Sequence, residues 1–142
     1  MSEYFDVTSA NTQLILACEE LFPSGVKLEG FSADTIMTAD AVDIAETRRG
    51  IDGNMVVGVV RNIQTVSIVL EANSPSTVYF ETIRDAMNAN SRPYELTLTM
   101  YLPALKKTVV YRRGTLKTAP SAPAVQKTLQ PTTWTMDFQE VA

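Results

Sequence analysis

Apolar and polar residues alternate with a period of two along much of this chain, and the segment from Tyr94 to Leu102 is the clearest case. Every second residue there is apolar, and Glu95, Thr97 and Thr99 lie between them. Successive side chains of a β-strand point to opposite faces, so this pattern predicts a strand with one buried face. Further β-rich patterns lie at 12–19, 26–31, 35–46, 65–72 and 133–141. The chain is therefore predicted to consist mainly of β-strands.

One segment has a different period. After Ser74 and Pro75 the apolar residues recur every three to four positions until about Asn90, which predicts one amphipathic helix. Ser74 is expected to be its N-cap and Pro75 its first residue. Residues 1–142 are thus predicted to form a single, mainly β domain, with two packed antiparallel sheets in a sandwich or barrel-like body and one flanking α-helix.

Glycine and proline residues mark the predicted turns. Residues 22–25, Phe-Pro-Ser-Gly, are expected to form a turn, and Gly114 is expected to end the strand that begins at Lys106. Residues 119–124 contain two prolines, which lack the N–H that a central strand needs. That segment is therefore predicted to be an extended crossover on the surface.

A protruding β-hairpin is predicted with its tip at residues 47–54, Thr-Arg-Arg-Gly-Ile-Asp-Gly-Asn. Its two glycines can adopt the positive φ that tight turns require. The next run, 55–60, is apolar on both faces, so it is expected to be covered on both sides, by the domain itself or by a neighbouring subunit. Gly58 in its middle predicts a bulge or a close backbone approach.

The residue types that most catalysis requires are missing. There is no histidine, which removes the commonest general base and the usual imidazole metal ligands, and Cys18 is the single cysteine. No phosphate-binding loop is present. Acidic residues that alternate with apolar ones are more typical of a strand's solvent face than of a catalytic pair; they are Asp34, Asp40, Asp43 and Glu46. We therefore expect no enzyme, no cofactor and no metal.

Composition favours an oligomer in solution. Charged residues make up only 20% of the chain, below the usual ~25%, so apolar surface must be exposed or buried against other copies. No apolar run approaches the ~20 residues of a membrane span. The acidic, polar start of the sequence does not look like a signal peptide, so we expect a soluble protein from a reducing cytoplasm.

Two stretches resemble tail tube proteins of long-tailed bacteriophages. In ETRRGIDGNMVVGVVRNIQTVSIVLEANSPSTVYFETI an acidic strand leads into a Gly-x-Asp-Gly turn, a strand pair and a helix that starts at Asn-Ser-Pro-Ser. In PTTWTMDFQEV a tryptophan lies on a late strand. The two stretches, residues 46–83 and 131–141, cover about a third of the chain and occur in the family's order.

The resemblance implies the tail-tube fold and homohexameric rings that stack into a tube, through which phage DNA passes without specific binding. It places the protein in the virion tail, assembled in the host cytoplasm, with sheath, baseplate, tape-measure and terminator proteins as possible partners. Type VI secretion tubes and phage-tail-like bacteriocins share this architecture. The implied ring-stacking hairpin comprises Arg48, Arg49, Ile51, Asp52, Asn54 and Met55.

The acidic balance suits a conduit for DNA. The net charge is −4, and the basic residues form pairs, not patches, which argues against a protein that grips nucleic acid. Carboxylates along a lumen repel phosphates, softly because salt screens charges over ~8 Å, so DNA can slide. The candidates for this lumen face are Asp34, Asp40 and Asp43.

Three alternatives stay open. The first is a tail terminator or baseplate component that forms one ring and does not polymerise. The second is a monomeric β-barrel binding module, in which Thr97, Thr99 and Tyr101 would bind a ligand in the barrel mouth. The third is a carboxylate-based hydrolase.

Overall fold

A computed structural model describes residues 12–31 and 36–141 of the chain. Within these ranges the chain forms nine β-strands, one α-helix and a 3-10 turn at Pro103–Leu105. The elements are β1 (Gln13–Cys18), β2 (Phe22–Lys27), β3 (Met37–Ala39), β4 (Ala45–Arg49), β5 (Met55–Val59), β6 (Gln64–Leu70), α1 (Thr77–Asn90), β7 (Leu96–Leu102), β8 (Lys107–Thr118) and β9 (Thr132–Val141). The predicted class, mainly β with two antiparallel sheets and one helix, is confirmed.

Seven strands form one antiparallel sheet in the order β2-β1-β7-β8-β9-β6-β3, and β4 pairs with β5 in a separate, two-stranded sheet. The chain after β2 crosses from one margin of the large sheet to the other. At the start of this crossing the Leu28 N–H donates to the Leu14 carbonyl, and at its end Phe31 bridges to Leu70 of β6. The crossing connects both margins, so the sheet curls into a barrel-like body.

Alternate residues of the curled sheet point inward and pack with one face of α1. The ring of Trp134 on β9 stacks on Phe80 of α1, with 5.4 Å between centroids, and its Nε1–H donates to Thr132 Oγ1 at 3.0 Å. The alternation in β6, β7 and β9 therefore predicted the buried faces correctly. The largest fully buried side chains are Trp134, Phe80, Phe138, Leu14, Leu16, Leu28, Ile68, Leu70, Ile83, Leu96, Leu98 and Met136.

The helix begins later than predicted. Ser76, not Ser74, is the N-cap residue, and no side chain caps the first turn. The Ser74 hydroxyl donates to the Glu29 carbonyl, and Ser76 Oγ accepts a hydrogen bond from the Glu29 N–H at 2.6 Å. Both hydroxyls thus bind the segment after β2. The assignment of Ser74 and Pro75 to the helix start is wrong for this reason, whereas the end at Asn90 is confirmed.

Two strand boundaries also differ from the prediction. β2 already starts at Phe22, so residues 22–25 are not a turn; β2 is an edge strand, where Pro23 is tolerated. β8 does not end at Gly114 but continues to Thr118. Gly114 lies opposite Phe138, and a Cβ atom at this position would stand 2.1 Å from Phe138 Cδ1. Glycine therefore lets β8 pass over the Phe138 ring.

Replacing Gly114 with alanine is expected to lower the free energy of unfolding by about 1–3 kcal/mol, because the new methyl overlaps a buried ring. It would also stand 2.8 Å from the Asp137 carbonyl oxygen. Urea denaturation measures the change. Gly58→Ala is the matched control, since no atom lies within 4 Å of a Cβ there. Equal losses in both variants would contradict the close approach at Gly114.

Candidate assembly surface

The hairpin predicted at residues 47–54 is present as the two-stranded sheet of β4 and β5, which pair in regular antiparallel register. At the tip the Gly50 N–H donates to the Asn54 carbonyl at 2.7 Å, and the Gly53 N–H donates to the Gly50 carbonyl at 3.0 Å. Gly53 has a φ of +86°, a conformation that strains residues with a side chain. The turn therefore depends on this glycine.

Three of the predicted ring-stacking residues hold the shape of the tip. The Asp52 carboxylate accepts hydrogen bonds from the backbone N–H of Asn54 at 3.1 Å and from its Nδ2 at 2.9 Å. Both hydrogen bonds lower the pKa of Asp52, and the one from the backbone N–H has the larger effect. Arg49 Nη1 donates to the Gly53 carbonyl at 3.1 Å. Asp52, Asn54 and Arg49 thus fix the tip through contacts within it.

The other three predicted ring-stacking residues are exposed. Ile51 is fully exposed at the end of the turn, and Met55 is exposed at the start of β5. Arg48 is exposed and forms no ion pair with any residue of the described ranges. These side chains are available to another molecule. Their role in ring stacking stays a prediction.

Strand β5 of the hairpin stem is apolar and exposed on both faces. Val57 and Val59 lie on one face with 54% and 85% of their surface exposed, and Val56 lies on the other with 45%. The described part of the body covers neither face of β5, so the expected burial of this strand within its own domain is not observed. The bulge or close approach expected at Gly58 is wrong, because the register is regular and nothing lies within 4 Å of a Cβ there.

Two of the three candidate lumen residues lie in one exposed segment of the structure. Asp34 lies outside the described residues. Asp40 and Asp43 lie in the exposed segment between β3 and β4. Their backbone carbonyls accept hydrogen bonds from Gln64 Nε2 at 2.6 Å and Asn62 Nδ2 at 2.7 Å, which fixes the base of the hairpin. The orientation of the carboxylates towards a lumen stays a prediction.

Sequence reasoning missed apolar side chains at the base of the hairpin. Ile44, Ile63 and Val141 are all exposed there. Ile44 fell within the β-rich pattern at 35–46, but residues 40–44 are not in a strand. The signal that identifies Ile63 is its isolation among the polar residues Arg61, Asn62 and Gln64, whereas Ile44, with Val42 and Ala45 close by, carries no such signal.

A metal or membrane role receives no support from the described structure. No group of three or more His, Cys, Asp or Glu side chains in residues 12–31 and 36–141 is placed to hold a metal ion. In the same ranges no helix is both long and apolar enough to cross a bilayer. What the hairpin offers chemically is a contact surface: an apolar stem, a fixed tip and the guanidinium of Arg48.

The chain belongs to the tail fiber protein gp32 family, whose model matches residues 5–142. A comparison with curated protein sequences finds no match. The family match confirms the resemblance to phage tail proteins that residues 46–83 and 131–141 indicated.

Solved structures with a similar fold come from contractile injection systems. A chain of the anti-feeding prophage baseplate aligns with a TM-score of 0.60 at 12% identity, over 100% of this chain and 96% of its own. A chain of the anti-feeding prophage tube terminating cap aligns with a TM-score of 0.57 at 13% identity, and the alignment covers 100% of this chain and 93% of that chain. A chain of the PVC sheath/tube terminator in the extended state aligns with a TM-score of 0.56 at 12% identity, and the alignment covers 100% of this chain and 98% of that chain. At these identities the likeness concerns the fold.

Proposed function

We propose that this protein is a structural component of a phage tail that forms a closed ring at an end of the tail tube, as a terminator or baseplate ring. The observation that carries the proposal is the hairpin stem, whose apolar side chains are exposed on both faces. An isolated two-stranded hairpin is only marginally stable in water, so the stem requires a partner. Family membership supports a tail assembly as that partner.

The position at a tube end is supported by three of the assemblies in which similar folds occur, namely a tube terminating cap, a sheath/tube terminator and a baseplate. Subunits in a closed ring meet through heterologous contacts, in which two different patches of the same chain face each other. Pairing strands and faces around a ring also removes edges that would otherwise aggregate.

The repeated ring of the tail tube is the second candidate. The resemblance of residues 46–83 and 131–141 to tail tube proteins favours it. In either position Ile51, Met55 and Arg48 would contact the adjacent ring, while Arg49, Asp52 and Asn54 hold the tip in shape. The role is non-enzymatic and needs no cofactor. Six copies per ring, and contacts with sheath, baseplate or tape-measure proteins, belong to this proposal.

DNA passage belongs to the same proposal. The net charge of −4 disfavours adhesion of phosphates to the ring. The exposed carboxylates of Asp40 and Asp43 are candidates for the lumen wall, together with Asp34. Mutual repulsion screened over ~8 Å would keep the DNA hydrated and mobile in the channel.

Electron microscopy combined with size-exclusion chromatography tests the proposed function. The purified protein, concentrated and also mixed with tails from disrupted phage particles, is expected to form closed rings that do not extend into filaments. Single rings on tail ends support the tube-end position, whereas long hollow filaments support the tube candidate. A protein that stays monomeric even when tails are added would contradict both.

A further inference from the structure

The outer face of β1 and β7 is uncharged. Three cross-strand pairs form it, and we call this surface the β1–β7 face: Gln13 opposite Tyr101, Ile15 opposite Thr99, and Ala17 opposite Thr97. The alternate residues of both strands fill the core, so the β1–β7 face lies on the outside of the body. Thr97, Thr99 and Tyr101 therefore do not line a barrel mouth, as a binding module would require.

A sheet face directed at water normally carries polar and charged side chains, and the charge nearest to the β1–β7 face is that of Lys27 on β2, opposite Ile15. Elsewhere the same sheet does so: Lys117 lies 3.5 Å from Asp137 across β8 and β9. On the β1–β7 face, Ile15 and Tyr101 instead expose 37% and 42% of their surface. Contact with another protein surface would account for this composition.

The hairpin stem has one matching face. Because β4 and β5 are in register, one face carries Val57 and Val59 with Met55, Thr47 and Ala45, and we call it the apolar stem face. Arg49 lies at its tip end, where its guanidinium binds the Gly53 carbonyl. The opposite face carries the charges of Glu46 and Arg48 beside Val56 and Gly58. The stem is thus suited to packing through one face only.

The apolar stem face and the β1–β7 face belong to different sheets. β1 and β7 lie towards one margin of the large sheet, and the hairpin leaves between β3 and β6 at the other. The β1–β7 face spans five residues, Gln13–Ala17, or about 17 Å at 3.4 Å per residue, and strand β4 of the stem also spans five residues, with the charged Arg49 at its tip end. Two different patches are what a heterologous ring contact requires, whereas stem-to-stem pairing would close a dimer.

We propose that, within a ring, the apolar stem face of each subunit packs on the β1–β7 face of a second copy of this chain. The inference rests on the proposed function and names the surfaces that join neighbours in the ring. The two-stranded sheet of one subunit then packs face to face on the large sheet of its neighbour, at the ~10 Å spacing of packed sheets.

Lysine substitutions on both surfaces test this contact. Val57→Lys on the apolar stem face and Ile15→Lys on the β1–β7 face are each expected to raise the concentration needed for ring formation at least tenfold. Val56→Lys, on the charged face of the stem, and Thr133→Lys, an exposed position on β9, are matched controls that should stay within twofold of the original protein. Sedimentation velocity and native mass spectrometry measure the assembly, and thermal melts of the monomer verify the fold.

A mixture of the two blocked variants gives a second readout. Each mixed pair keeps one intact contact, between the stem of the Ile15→Lys copy and the β1–β7 face of the Val57→Lys copy, so dimers but no rings are expected. Should Ile15→Lys lower the melting temperature, Thr99→Lys on the same face replaces it.

The possible failures separate the two proposals. Normal rings from the Ile15→Lys or Thr99→Lys protein, with Val57→Lys blocked, would overturn this contact and leave the proposed function standing. An original chain that forms no ring, even with tails present, would overturn the proposed function and this contact with it.

Discussion

Replacing Ile51 with aspartate is expected to leave rings intact and to prevent them from docking on the adjacent ring. Ile51 is fully exposed at the tip and makes no contribution to the core, so the monomer should melt at an unchanged temperature. Burying an isoleucine contributes ~1.5–3 kcal/mol, and an unpaired carboxylate in its place is costly to desolvate. Because the proposed ring carries several tips, these losses add around it.

Negative-stain microscopy and phage complementation measure this effect. With the Ile51→Asp protein, particles with complete tails should fall by at least tenfold, while free rings accumulate. Val78→Asp is the control, since Val78 is an exposed aliphatic side chain on α1, away from the hairpin. Normal tails from the Ile51→Asp protein would show that the tip takes no part in ring docking.

Replacing Trp134 with alanine is expected to lower the free energy of unfolding by about 3–5 kcal/mol. Trp134 is 1% exposed, stacks on Phe80 of α1 and donates a hydrogen bond to Thr132. The guanidinium of Arg84 also lies 5.9 Å from its ring centroid. The truncation leaves a cavity between the sheet and the helix and an unpaired buried hydroxyl on Thr132.

Urea denaturation followed by far-UV circular dichroism measures the loss, since Trp134 is the single tryptophan and its fluorescence disappears in the variant. Trp134→Phe, which retains a ring to stack on Phe80, should recover more than half of the lost free energy. A loss below about 1 kcal/mol for the alanine variant would place Trp134 outside the cooperative core.

The strands that read most clearly from the sequence are those with a solvent face and a core face. β6, β7 and β9 alternate strictly, and a residue's position in the alternation determines its burial, so both their location and their inward faces were predictable. The hairpin was predictable for a similar local reason, because Gly50 and Gly53 restrict where the chain can turn.

Features that depend on distant contacts were not predictable. Ser74 carries the local signature of an N-cap, but its hydroxyl donates to the carbonyl of Glu29, in the segment that follows β2. Gly114 resembles the end of a strand, yet it is required by the ring of Phe138, more than twenty residues later. Neither partner can be identified from spacing along the chain.

The candidate site shows the same division. The sequence identified the tip residues, but not that Asp52, Asn54 and Arg49 are occupied with one another while Ile51 is free. That distinction depends on hydrogen-bond geometry at the turn. The division of the stem into an apolar and a charged face follows from the register of β4 and β5, which a sequence alone leaves undetermined.

The projecting stem also bears on when assembly starts. The hairpin is a two-stranded ribbon that the described part of the body does not cover, so it loses conformational freedom only when a neighbour binds. The first contact between free copies therefore carries an entropic cost, and each later addition to a growing ring carries less of it. A pre-existing template that already holds several ribbons in place lowers this barrier. We therefore expect free copies to persist in the cell without premature association and to join rapidly once such a nucleus is present.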